Sequence, residues 1–393
     1  MLFKRLAVFS GREGGGLGAG LRAQRPSSLF LLGVLVSIGS SVVRADSPFA
    51  TNVLDYGPAP GQFVNDSQLN DANKSLGAPS GGGSGEGNEL GVVTLGGFGG
   101  TITLAFDHTV RDDHANPFGL DAIVFGNAFW AAANANRRWA ETGIIEISRD
   151  ANSNGLADDP WFLIPGSHVT DPVGQYSVMT WDSDLGDGTF PPANPFWVPA
   201  GSSGTWTTEG YKLQGAPFDG PVLENPNGLA AEVEGVFGFA DLSPVALLPD
   251  GIDAEDFYVR PDDALKVGLT DGSAGGDGFD IAWAIDPATG ADAELDGFDF
   301  VRITTAVDFI AGALGEVSTE IDAVADVAET FAGDVDGDGD VDLDDHAYFV
   351  ECLQGPESSV PTSPCRPLDF DDDGDVDLVD ACGFQIVFGM QAP

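Results

Sequence analysis

Carboxylates recur at fixed spacing twice near the C-terminus. The first run is Asp334-Val-Asp336-Gly-Asp338-Gly339-Asp340-Val-Asp342-Leu-Asp344-Asp345, and the second is Asp369-Phe-Asp371-Asp-Asp373-Gly374-Asp375-Val-Asp377-Leu-Val-Asp380. Both place carboxylates at positions 1, 3, 5, 9 and 12 of a twelve-residue loop, with glycine at position 6. That is the oxygen-ligand spacing of a calcium loop, in which position 7 (Asp340 or Asp375) adds a backbone carbonyl and glycine permits the sharp turn. Each run is therefore expected to hold one calcium ion. A third run, Asp150-Ala-Asn152-Ser-Asn154-Gly155-Leu156-Ala-Asp158-Asp159, keeps the same grammar at positions 1, 3, 5, 6, 7 and 9, with Leu156 at the carbonyl position. Its position 12 is Trp161, so a bidentate carboxylate must come from Asp159 or elsewhere. It reads either as a third calcium loop or as an Asx-rich turn held by its own side-chain hydrogen bonds.

The elements around these loops follow from the flanking residues. Gly333 abuts the first loop, and Pro364, Arg366 and Pro367 crowd the second, so no helix is expected before either. Short helices are expected after them, over Asp345–Leu353 and Asp380–Phe388. Their apolar residues Tyr348, Phe349, Leu353, Phe384, Val387 and Phe388 must pack against the other copy to be stable. Position 12 is Asp345 or Asp380, where an ordinary EF-hand prefers Glu. Loop–helix, linker, loop–helix over 333–390 resembles the type I dockerin family, whose loops are of EF-hand type. The resemblance implies a calcium-folded module that binds a cohesin domain and attaches a secreted protein to a scaffold or cell-surface partner. Partner recognition in that family usually lies at loop positions 10 and 11, often Ser-Thr. Here those positions hold Leu343-Asp344 and Leu378-Val379, a departure from the pattern.

All three cysteines, Cys352, Cys365 and Cys382, fall in this module. A Cys352–Cys365 bond would staple the first helix to the end of the Pro/Ser linker, although an odd cysteine leaves the connectivity open. Only His346 is nearby, and the spacing fits no zinc finger.

The N-terminus reads as a signal peptide over 1–45. Basic residues from Lys4 to Arg25 precede an apolar run from Leu29 to Val43, and Val43-Arg44-Ala45 supplies small residues at the cleavage positions. The expectation is a protein exported to a secreted, cell-surface or periplasmic location, with no membrane insertion after cleavage. Six of the 16 basic residues and one acid, Glu13, precede Asp46, so the remainder carries 10 bases, 61 acids and a net charge of −51. Nucleic acid and anionic membrane surfaces are excluded as partners by that charge.

Residues 46–330 are Gly-rich and aromatic, with few helix signals. Strands are expected at Val92–Phe106 (interrupted at Gly96–Gly100), Asp121–Phe129, Ile144–Ser148, Trp161–Ile164, Tyr176–Trp181, Val233–Ala240, Phe279–Ile285, Phe298–Ala306 and Val317–Ala325. Long loops are expected at Thr51–Asn88 and Asp182–Asn227, with Trp197, Trp206 and Tyr211 offering apolar area to bury. Many strands without a βα rhythm predict a mainly β chain: a large β-sandwich or jelly-roll domain over 46–330, then a small α-helical calcium module over 331–393. The stretches Tyr56–Phe63, Leu95–Gly100, Phe106–His108, Val124–Phe129, Asp150–Trp161, Gly276–Asp280 and Gly315–Glu320 resemble a family of exported or cell-surface proteins of Bacteroidetes and planctomycetes. That resemblance covers most of 50–327 and implies an all-β extracellular domain.

No zinc-protease or nucleophile-elbow motif accompanies the four histidines, His108, His114, His168 and His346, and the middle region has no cysteine. Glu141, Glu146, Glu316 and Glu320 are the glutamates nearest the Gly-rich strands and are expected to be exposed. Asn127, Trp130, Arg137, Arg138 and Trp139 form the candidate ligand-binding segment, because they join hydrogen-bonding groups, aromatic faces and scarce cations after a strong strand. The expected function is a non-catalytic calcium-binding protein that takes a glycan or other small ligand. The alternatives are a polysaccharide-degrading glycoside hydrolase carrying the module, and a structural surface component.

Overall fold

A computed structural model describes residues 47–88, 90–167, 175–182, 205–213, 218, 220–224, 236–266, 268–311, 315–328, 333–337, 340–353, 363–370 and 375–390. The chain divides into two compact units, Met1–Ala45 and Asp46–Pro393, and the first lies outside the described residues. No helix among the described residues is long and apolar enough to cross a membrane.

The second unit is mainly β. In chain order the strands are β1 (Asn52–Gly57), β2 (Val93–Thr94), β3 (Thr101–Arg111), β4 (Ala122–Gly126), β5 (Phe129–Trp130), β6 (Arg137–Trp139), β7 (Gly143–Ser148) and β8 (Trp161–Ile164). They continue with β9 (Gln175–Asp182), β10 (Thr205–Lys212), β11 (Val222–Glu224), β12 (Asp277–Phe279), β13 (Gly297–Thr305) and β14 (Glu320–Asp326). The larger sheets run β1-β3-β13-β7-β8 and β12-β4-β14-β2, beside a β9–β10 hairpin and a small β11-β6-β5 sheet. All of these pairings are antiparallel. Ile102 and Leu104 of β3, Ile145 and Ile147 of β7, and Val301 and Ile303 of β13 join Val124 of β4 and Val324 of β14 in one core cluster. The period-2 alternation of these strands turns one face of each toward that shared core.

Several expected boundaries move, each for a local reason. Strand register shifts between Phe298 and Phe300, and Phe298 joins Val301 and Ile303 in the core cluster. A bulge of this kind breaks strict alternation. The run Phe279–Ile285 is strand only to Phe279, because the Asp280 side chain accepts Ala282 N–H and starts a 3-10 turn over Ile281–Trp283. Within 233–240, the described part contributes only an isolated bridge from Ala240 to Gly143. The expected long loops contain β1 and β10, whose residues are polar or half-exposed and so carry no clear hydrophobic alternation, and the three-residue β11, too short to show one. Trp197 and His168 lie outside the described residues.

The α-helices among the described residues are α1 (Ala254–Phe257), α2 (Leu343–Cys352) and α3 (Leu378–Val387). The last two start earlier than the apolar pattern indicates, because Asp342 and Asp377 cap them and set their first turns. Phe349 and Phe384 stack at 5.1 Å, joining the two helices as their spacing predicts. A 3-10 turn over Ser363–Leu368 precedes the second acidic loop despite its prolines. Cys352 and Cys365 form a disulfide with a Cα–Cα distance of 5.4 Å, and Cys382 is free and exposed.

The C-terminal segment does not separate from the β region. Phe118 and Leu120 share a buried cluster with Val335, Val341, Phe349, Leu368 and Phe384. Phe118 N–H donates to the Val335 carbonyl at 3.1 Å, Lys266 sits 3.8 Å over the Tyr348 ring, and Arg366 pairs with Asp280 and Asp112.

Candidate functional site

Each acidic run brings three carboxylates together among the described residues. In the first, Asp334, Asp336 and Asp345 each offer an oxygen within 4.8 Å of the others; in the second, Asp375, Asp377 and Asp380 do the same. The position-12 carboxylate organises each loop. Asp345 accepts Val335 N–H at 2.6 Å through one oxygen and Asp342 N–H at 2.8 Å through the other. Asp380 accepts Phe370 and Asp377 N–H groups, both at 2.7 Å. These bonds tie the loop start to the helix start and bring the acids together. Asp334, Asp345, Asp375 and Asp380 are buried. Gathering carboxylates away from water is costly unless a cation offsets their charge. The donor set is oxygen only, so these clusters can hold a hard metal ion. Asp340, Asp342 and Asp369 are described but fall outside the two groups, and Asp338, Asp371 and Asp373 lie outside the described residues. Asp375 stands at the backbone-carbonyl position, yet its side chain joins the cluster.

The loop at Asp150 is different. Asp150 accepts N–H groups from Asn154 at 3.0 Å and Gly155 at 2.8 Å, and Asn154 accepts Leu156 N–H at 2.7 Å. The Asn152 amide donates to Asp159 at 3.2 Å and the Asn154 amide to Asp158 at 3.2 Å. The loop closes on itself as an Asx-rich turn, and Asp150 and Asp158 belong to no group of three metal-type donors among the described residues.

The candidate ligand-binding residues of 127–139 are mostly built into the fold. Asn127 accepts Asn88 N–H and donates to the Glu320 carboxylate. Trp130 and Arg138 are buried, and Trp139 stacks on Phe129 at 6.2 Å. Arg138 donates to Ser243 at 3.0 Å and to the Val236 carbonyl at 3.3 Å. Trp130 and Arg138 do meet at a cavity of about 20 Å³, which accommodates one water. Arg137 is half-buried in β6. The polar side chains of Asn127 and Arg138 are thus taken up by Asn88, Glu320, Ser243 and the Val236 carbonyl.

The glutamates also depart from expectation: Glu141, Glu146, Glu316 and Glu320 are all buried. Gln62 donates to Glu141 at 3.0 Å, and Asp241 accepts the Asn127 and Glu320 N–H groups at 2.7 and 3.0 Å. Burial first, then neighbouring carboxylates, pushes Glu141 and Asp241 well up, and burial lifts Glu320 to about 7. Burial and the nearby Asp308 carry Glu316 to about 9. The Gly-rich turn makes this burial possible: a Cβ at Gly97 would lie 2.5 Å from Glu316 Cγ.

Two groupings have no sequence motif. One is a third cluster, Asp112, Asp121 and Asp280, with oxygens within the same 4.8 Å limit. The other is a cleft of about 300 Å³ between the β9–β10 hairpin and the five-stranded sheet, with Thr101, Glu146, Tyr176, Glu209, Tyr211 and Arg302 on its walls. Tyr176, 56% exposed, meets Tyr211 edge to face at 5.6 Å. Arg302 bonds Glu146 at 2.8 Å and lies 4.1 Å from the Trp161 ring centre. Cross-strand pairing of Arg302 with Glu146 and of Thr304 with Thr101 sets the cleft floor. No protein-family model matches the chain, and no curated protein matches it.

Proposed function

We propose that this is an exported, non-catalytic calcium-binding protein that holds a neutral or weakly polar glycan in the cleft under the β9–β10 hairpin. The observation that carries the reading is the cleft's composition: the exposed Tyr176 and the half-buried Tyr211 beside hydroxyl and carboxylate acceptors, in a space of about 300 Å³. Aromatic faces stack on sugar rings, and fixed polar groups take the ring hydroxyls. The two larger sheets, sharing one core, support a β-sandwich frame for the site. Calcium is the cation assigned to the two C-terminal loops because the ligand spacing is that of a calcium loop and all donors are oxygen. The C-terminal segment is read as dockerin-like, its partner a cohesin-like or other cell-surface protein.

Calorimetry of the calcium-loaded chain against neutral oligosaccharides tests the reading. Tyr176→Ala and Tyr211→Ala are each expected to weaken binding about fivefold, the loss of roughly 1 kcal/mol of ring contact. Absence of binding, or affinity equal to that of the wild type in both variants, overturns it. A glycoside hydrolase is the second reading, favoured by two carboxylates that line the cleft from opposite sides, Glu146 of β7 and Glu209 of β10. Release of reducing ends that Glu209→Gln abolishes would select it.

A further inference from the structure

The end of β10 meets the segment that follows β13, where Leu213 N–H donates to the Ala306 carbonyl at 3.0 Å. This contact sets Lys212 beside Asp308, and Lys212 Nζ donates to Asp308 Oδ2. Asp308 has a second neighbour. Ile310 and Glu316 face each other in an isolated antiparallel bridge, and Val317 N–H donates to the Phe309 carbonyl at 2.8 Å. Alternate residues share a face, so Glu316 lies diagonally across from Asp308, and the two carboxyl groups share a hydrogen bond. Glu316 is fixed in place: Gln62 N–H donates to its carbonyl at 3.1 Å, and a Cβ on Gly97 would lie 2.5 Å from its Cγ.

Two observations separate this group from an ordinary surface ion pair. The first is the third member. A lysine and an aspartate complete each other, yet Glu316 is set against them, 2% exposed and with no hydrogen-bond partner for its Oε1. Two carboxyl groups in contact resist double ionisation, and burial, then Asp308, raises the Glu316 carboxyl to about 9. At neutral pH a protonated acid is therefore held against an amine and a carboxylate. The second is the setting. The flanking residues Leu213, Val307 and Phe309 belong to one apolar cluster. Such surroundings lower the cost of passing from ammonium and carboxylate to neutral amine and acid.

We propose that Lys212 and Asp308 join in a self-formed isopeptide bond, with Glu316 as the proton carrier. One proton passes from the ammonium to the aspartate, leaving a neutral amine and a carboxylic acid. The Nζ lone pair then attacks Asp308 Cγ and forms the N–C bond. Glu316 gives its proton to the departing hydroxyl as the C–O bond breaks, and takes one back from the nitrogen. The products are an amide and one water; Glu316 is regenerated, and no oxidant, reductant or cofactor is consumed. The Lys212 and Asp308 side chains are 26% and 27% exposed, which lets the water leave. Holding amine and acid in contact supplies an effective concentration on the order of 10⁵ M or more. The bond ties the β9–β10 hairpin, which covers the cleft, to the exit of β13 across a sequence separation of 96.

Intact mass spectrometry of the reduced, denatured full chain tests this. The wild type is expected one water, about 18 Da, below its sequence mass. Lys212→Arg keeps the charge but offers no amine that can lose its proton, and is expected at full mass. Glu316→Gln is expected to stay largely unlinked. Tryptic mapping of the wild type should give one branched peptide joining Lys212 to Asp308, with no cleavage after Lys212. A wild type at its full sequence mass, or a water loss mapped to other residues, overturns the bond, and neither result depends on a variant folding. Complete linkage in Glu316→Gln overturns the assignment of Glu316 as proton carrier.

Discussion

Glu316 shows how one residue converts position into a pH response. Burial, then Asp308, raises its carboxyl to about 9 from an ordinary 4.5. The folded state therefore binds this proton more tightly than the unfolded chain does. The associated stability is full below about pH 4.5 and is lost as pH rises toward 9. Glu320, lifted to about 7 by burial, acts in the same sense over a narrower window. In a Lys212→Arg background, which cannot form the amide, replacing Glu316 by Gln should leave the melting temperature unchanged at about pH 4 and raise it by several degrees at about pH 8. A shift of equal size at both pH values would mean that packing, and not ionisation, governs the residue.

At the scale of the element, each C-terminal helix depends on an acid with three attachments. Asp345 completes the capping box of α2, accepts Val335 N–H and belongs to the first metal-type cluster. Asp345→Ala should cost about 1–3 kcal/mol by leaving the Val335 and Asp342 N–H groups without their acceptor, and should also weaken cation binding. Asp344→Ala, at an exposed neighbouring position, should do neither. Calcium titration followed by circular dichroism separates the two variants. Chelation should lower the helical signal of α2 and α3, because ligand carboxylates without a cation repel one another. The Cys352–Cys365 bond closes a loop with a separation of 13 residues, which restrains the unfolded chain by roughly 3 kcal/mol. Reduction and chelation together should therefore unfold this segment further than either treatment alone. An unchanged spectrum under both treatments would rule out cation-supported folding.

The whole molecule is joined by a seam that the separate elements do not reveal. Val335 links the two sides directly: its N–H is held by Asp345 of the first loop, and its carbonyl accepts Phe118 N–H from the β region. Arg366 adds the charged contact, with its side chain 23% exposed. Breaking a buried pair costs about 3–5 kcal/mol, and partial exposure reduces this to roughly 1–3 kcal/mol. Arg366→Ala should therefore loosen the C-terminal segment and speed its cleavage in limited proteolysis. An unaltered digestion pattern would show that the apolar cluster alone holds the seam.

Local spacing determined the features that need only neighbouring residues. The acidic clusters, the helices that follow and the Cys352–Cys365 pairing were legible because each depends on contacts within a few turns of chain. The strongly alternating strands β3, β7 and β13 were legible for the same reason. The half-polar strands β1 and β10 were not, since their stability comes from pairing partners and not from their own pattern. Tertiary structure alone decided that Glu141, Glu316 and Glu320 are buried, that Asn127 and Arg138 serve the fold, and that a hairpin covers an aromatic cleft. It also brought Asp112, Asp121, Asp280 and Arg366 together. Asp280 and Arg366 lie far in sequence from Asp112 and Asp121, and only sheet register and burial of the shared core place their charges within bonding distance.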